Sequence, residues 1–121
     1  MSSALKKFGE KLANDSKQLA KLFKEFTAGS RILPSRTSEN DGEYQCRIDM
    51  GEEVKDNPGH YNVYLQVNSQ AKSEGLKDWL RKNPHGKLAT AQVDRNVPEK
   101  ERAKEGKRVV ADLIEQAKKN L

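Results

Sequence analysis

Between Ser3 and Thr27 the apolar residues Leu5, Phe8, Leu12, Leu19, Leu22, Phe23 and Phe26 recur at helical spacing, with Lys6, Lys17, Lys21 and Lys24 on the opposite side. That pattern predicts an amphipathic helix with one buried stripe. Asp15 interrupts the stripe within Asn14-Asp15-Ser16, three residues whose short polar side chains favour caps, so the segment is expected to divide into two shorter helices there. Ala28-Gly29-Ser30 closes it. Residues 29–42, with Pro34, serines, Asn40 and Asp41-Gly42, read as a polar connection.

The period then changes from helical to two. From Glu43 to Met50, Tyr44, Cys46, Ile48 and Met50 alternate with Gln45, Arg47 and Asp49. From Tyr61 to Val67, Tyr61, Val63, Leu65 and Val67 alternate with Asn62, Tyr64 and Gln66. Both segments read as half-buried strands, joined as an antiparallel hairpin through the Gly51 to Gly59 loop. Leu76, Trp79 and Leu80 predict a helix over Ser73–Lys82, stopped by Asn83-Pro84-His85-Gly86 before a third strand near Lys87–Asp94. A last helix is expected from Pro98, burying Ala103, Gly106, Val109, Val110, Leu113, Ile114, Ala117 and Leu121. The order α-β-β-α-β-α defines an α+β class, with a small antiparallel sheet of about three strands and helices packed on one face. The other face, carrying Gln45, Arg47, Asp49, Asn62, Tyr64 and Gln66, is left to solvent or a partner.

Composition changes this picture in two respects. At 121 residues, with no shift in composition, the chain reads as one domain: an N-terminal helix over 1–28, the connection over 29–42 and an α+β core over 43–121. Only 34% of residues are hydrophobic while another 34% are charged, so the core is economical and homodimerisation or docking on a protein partner is a reasonable expectation. No apolar run approaches the roughly 18 residues of a membrane span, and no signal-peptide core opens the chain. A soluble, cytoplasmic protein that does not engage membranes is expected. The single cysteine, Cys46, cannot form an internal disulfide and reads as a core residue.

Charge supplies the functional candidates. Residues 41–70 hold two basic and six acidic side chains, a balance of −4 within a chain of net charge +5, so the flanks carry +9. Lys100, Lys104 and Lys107 form a stripe on the last helix with Arg108 at its border, and Arg81, Lys82 and Lys87 gather around the 83–86 turn. Phosphate recognition needs such charges, and Tyr64 on the polar sheet face, beside Arg47 and two amides, offers a stacking surface and base-reading groups. The first expectation is therefore a non-catalytic nucleic-acid-binding accessory or regulatory protein. The mixed-sign neighbours Glu101, Glu105 and Asp112 equally describe ordinary solvated helix surface. The alternative is a protein-interaction module or small inhibitor acting through the acidic hairpin loop, with Glu52, Glu53 and Asp56, or through the N-terminal helix.

Two fragments invite comparison with a known family. Lys100-Glu101-Arg102-Ala103-Lys104 is similar to the Lys-Lys-x-Ala-Lys start of the last helix in double-stranded-RNA-binding domains, and Asn57-Pro58-Gly59-His60 resembles their Gly-Pro-x-His loop. Glu101 stands where that family carries a phosphate-facing lysine, Pro58 and Gly59 are reversed, and residues 71–86 add a helix. The resemblance ends with these fragments and assigns no membership. Catalysis is not expected: His60 and His85 both sit in Pro/Gly turns, and no nucleophile elbow, phosphate loop or zinc spacing accompanies them. No cofactor or metal is anticipated, since the acidic loop lacks the layout of a calcium site.

Overall fold

The computed structural model describes residues 2–24, 29–33 and 45–121. Its elements run α1 (Ser2–Asn14), α2 (Ser16–Lys21), β1 (Arg31–Ile32), β2 (Cys46–Glu53), β3 (His60–Val67), α3 (Glu74–Lys82), β4 (Lys87–Asp94), a 3-10 turn (Glu99–Glu101) and α4 (Arg102–Asn120). The four strands form one antiparallel sheet in the order β1-β2-β3-β4, which is an α+β architecture. Tyr44 and Phe26, both assigned inward-facing roles from their spacing, lie outside the described residues.

The fourth strand is a correction to the reading of 29–42 as connection alone. Ser30 accepts a hydrogen bond from Met50 N at 2.7 Å, and Arg31 and Ile32 pair with Asp49 and Ile48. Two residues are too few to show an alternating pattern, yet Ile32 is fully buried under the sheet's edge. At Asp15 the chain breaks between α1 and α2: its carboxylate accepts from the backbone N–H of Lys17 and Gln18, satisfying donors that a new helix leaves open.

Leu5, Phe8, Leu12, Leu19 and Leu22 from the first two helices meet Val109, Val110, Leu113 and Ala117 of α4 over the inward strand residues, making one core. Gly106 lets α2 come close to α4: a Cβ there would lie 2.8 Å from Leu19 Cδ2. All of this apolar material lies on one side of the sheet.

α4 also does something the helical pattern did not announce. It runs antiparallel beside β4 and occupies that strand's outer backbone groups with side chains. Glu105 Oε2 accepts from Asp94 N (2.9 Å), Arg108 Nη2 donates to Gln92 O (2.9 Å), Gln116 Oε1 accepts from Thr90 N (3.4 Å) and Asn120 Nδ2 donates to Leu88 O (2.7 Å). An edge strand with open N–H and C=O groups recruits other strands, and this ladder occupies four of those groups with side chains instead. Arg108, whose guanidinium also grips both carboxylate oxygens of Glu105, is the main reason the Glu105 carboxyl is held below the usual range, helped by the Asp94 amide and the nearby His60.

A group depressed in the folded state contributes stability above its unfolded pKa and loses that contribution as pH falls through the folded value. Glu105→Gln is accordingly expected to be less stable than wild type by about 1–2 kcal/mol at neutral pH, the scale of lost charge-assisted hydrogen bonds. Urea denaturation as a function of pH is expected to show the two proteins converging as pH falls through the depressed folded-state value of the Glu105 carboxyl, below the ordinary carboxylate range. A difference that stays constant down to acid pH would contradict the assignment.

Candidate nucleic-acid interface

On the sheet face turned away from α1, α2 and α4, the period of two sets Arg47 and Asp49 on β2 beside Asn62, Tyr64 and Gln66 on β3, with Arg47 opposite Gln66 and Asp49 opposite Tyr64. β2 carries one extra residue here, because Met50 pairs with Val63 and Glu53 with Tyr61, so Gly51 and Glu52 together face Asn62. Gly51 is covered by the Tyr64 ring: a Cβ on Gly51 would stand 2.5 Å from Tyr64 Cε2. The Tyr64 hydroxyl donates to Glu52 Oε1 at 3.1 Å, and Asn62 Nδ2 donates to the same oxygen at 3.2 Å. These bonds, with the backbone amide of Glu52 foremost, hold the Glu52 carboxyl below its ordinary range. Partial burial and the facing Glu52 push the Tyr64 phenol up.

Lys87 completes the arrangement, its Nζ 4.3 Å from the Tyr64 ring centroid. The expected stacking surface therefore already carries a cation. Lys87 is exposed, so its ammonium lies over the ring at the surface of the face.

Arg47 is the most constrained charge on this face. Its side chain is 17% exposed; Nε donates to Asp49 Oδ1 at 3.2 Å and Nη1 to Asn68 Oδ1 at 2.6 Å, leaving Nη2 without a partner among the described residues. It forms one wall of a groove of about 490 Å³ with Gln66, Val67, Ser69, Leu80, Arg81, Pro84 and Gly86. Gln45 builds the far wall indirectly. Its side chain, expected on the open face, is buried, and Oε1 accepts from Lys72 N at 2.7 Å and Ser73 N at 3.0 Å, tying the start of α3 to the root of β2. The last turn of α3 then faces the sheet across the groove. Gln66 Nε2 donates to His85 O at 2.6 Å, and His85 Nδ1 accepts from Lys87 N at 2.9 Å, which fixes the 84–86 turn.

The eight side chains singled out for nucleic acid do not share one surface. Arg47, Tyr64, Arg81 and Lys87 converge on the groove and the sheet face, and Lys82 ends α3 beside them; Arg81 is paired with Asp78 in an exposed contact. Lys107 belongs to the helix layer, where it borders a second groove with Lys6, Gly9, Ala13 and Ile114 between α1 and α4. Lys104 lies on the same helix, and Arg108 is committed to the β4 edge. Gln66 and Ser69 also line the groove, outside the eight. For Gln66 the signal was its place two residues from Tyr64 on the same face. Ser69, beyond the strand end, gave none.

The acidic loop is less available than its charge suggests. Glu52 is held by Tyr64 and Asn62, Glu53 Oε2 accepts from Gly59 N at 2.9 Å, and Asp56 is exposed. His60 Nε2 lies 3.7 Å from Asp94 Oδ2 across the strands. Cys46 is fully buried, and that burial pushes its thiol up to about 12. A thiol-specific disulfide reagent at pH 8 is expected to leave the native protein unmodified and to consume one equivalent once the chain is unfolded in urea. Rapid reaction of the native protein would contradict the buried placement.

These elements define a small α+β protein with a helix-packed face and a polar sheet face that ends in a groove. A family model described as HrmA, subtelomeric hrmA-associated cluster protein, matches residues 1–112, and the chain belongs to that family. The matched span includes every groove residue. No curated protein and no solved structure matches the chain. Among the described residues no helix is long and apolar enough to cross a membrane.

Proposed function

We propose that this protein is a non-catalytic nucleic-acid-binding protein of accessory or regulatory type, and that it binds through the polar sheet face rather than the basic helix. The observation that carries the reading is Arg47: a guanidinium fixed by Asp49 and Asn68 at the wall of a groove continuous with Gln66, Tyr64 and Lys87. A fixed planar donor, an amide, an aromatic ring and mobile lysines are the groups with which proteins contact bases and phosphates. Membranes are not part of the reading, and a cytoplasmic protein without cofactors fits it.

The two basic surfaces are separable by mutation because they lie on opposite layers. In fluorescence anisotropy with labelled single-stranded and duplex nucleic acids, reversing Arg81 and Lys87 to glutamate is expected to abolish binding. Reversing Lys104 and Lys107 leaves it largely intact. The opposite result would move the site to α4, and no binding by the wild-type protein at low salt would end the proposal.

A further inference from the structure

We infer that the groove between β2, β3 and the last turn of α3 receives an unpaired base, so that the nucleic acid recognised is single-stranded at the contact. This rests on the nucleic-acid reading above and narrows it. The groove, at about 490 Å³, has room for a small planar ligand. Leu80 and Pro84 supply apolar surface, while Arg47, Gln66, Ser69 and Arg81 supply polar groups at its walls. Apolar contact to a ring combined with hydrogen bonds to its edge is the chemistry of an unstacked base; in a duplex those edges are paired and the rings are stacked on their neighbours.

The placement of individual groups supports a base over a phosphate alone. Arg47 is mostly covered, shares Asp49 Oδ1 with Arg31 and has its Nη1 held by Asn68, which fixes the guanidinium plane and makes it a good planar partner for a ring or a base edge. Gln66 spends its amide nitrogen on His85 O, leaving Oε1 to accept from an exocyclic amine or ring N–H. Gly86, with φ +75°, keeps the groove's mouth open beside Gln66: a Cβ there would lie 2.5 Å from Gln66 Nε2. Lys87 and Tyr64 lie next along the face, where the adjoining nucleotide places its phosphate and base.

The test is an amide chemical-shift titration of the ¹⁵N-labelled protein with single-stranded oligouridine and oligoadenosine, with a duplex of matched length, and with inorganic phosphate. Single strands are expected to shift the amides of Gln66, Val67, Ser69 and Gly86 and to bind at least about tenfold tighter than the duplex. Arg47→Lys keeps the charge and loses the planar fork; it is expected to weaken single-strand binding about tenfold with an unchanged salt slope. Ser69→Trp fills the groove from an exposed position and is expected to have the same effect, which keeps the test decisive should Arg47→Lys perturb the fold.

Equal or tighter duplex binding, or single-strand binding that leaves the groove amides unmoved, would overturn the base-receiving groove while leaving nucleic-acid binding standing. The same holds if phosphate alone moves those amides equally. Absence of shifts with every nucleic acid would overturn both.

Discussion

Phe8→Ala is expected to lower folding stability by about 3–5 kcal/mol, the range for truncating a fully buried aromatic ring. Phe8 is 1% exposed and joins α1 to the core shared with α4 and the sheet. In a chain with a third of its residues apolar there is little spare burial to offset the loss, and a total stability of about 5–15 kcal/mol makes the change a large fraction of the whole. Urea denaturation is expected to show the midpoint falling by about 2 M. Leu33→Ala, at a residue 50% exposed, is the matched control and is expected to stay within about 0.5 kcal/mol of wild type. A Phe8→Ala loss below about 1 kcal/mol would mean that α1 is not docked on the core as described.

Binding is expected to respond steeply to salt, and the response is informative about which charges act. Arg81 lines the groove, Lys82 follows it on α3 and Lys87 lies over Tyr64, so about three phosphate contacts give a slope near −2 in log affinity against log salt for a single strand. Between 50 and 200 mM salt that is about a twentyfold loss. Reversal of Lys104 with Lys107 is expected to leave the slope near its wild-type value. Arg108 is a separate case. Its guanidinium is spent on Glu105 and Gln92, so its substitution is expected to register as lost stability before lost binding.

The parts of this fold that were legible are those where many residues repeat one physical rule. β3 shows a clear period of two bounded by turn residues, and the strand expected after the 83–86 turn, near Lys87–Asp94, has those limits. Gly106 in an apolar stripe implied close helix contact, and Leu19 makes it. Features that rest on single pairings were not legible. β1 is two residues whose identity as strand depends wholly on β2. Gly51 and the following glutamates read as loop, because nothing local shows that Tyr64 from the next strand lies over the glycine and draws Glu52 to its hydroxyl. The groove was half visible: Arg47, Tyr64, Arg81 and Lys87 were chosen for charge or aromaticity, but their grouping depends on Gln45 anchoring α3. The separation of the basic helix from the sheet face was not legible for the same reason, since charge periodicity does not say on which layer a helix lies.

The side chains joining α4 to β4 tie the two elements to a common measure. From Leu88 to Asp94 the strand advances about 20 Å, and from Asn120 back to Glu105 the helix advances about 22 Å, so two lattices of unequal rise come into step over one span. A residue inserted into β4 would turn the following backbone groups toward β3. One inserted into α4 would rotate everything beyond it by about 100°. Surface positions along this helix tolerate a change of residue far better than a change of number, because an insertion or deletion in either element leaves part of the sheet's rim open to another chain.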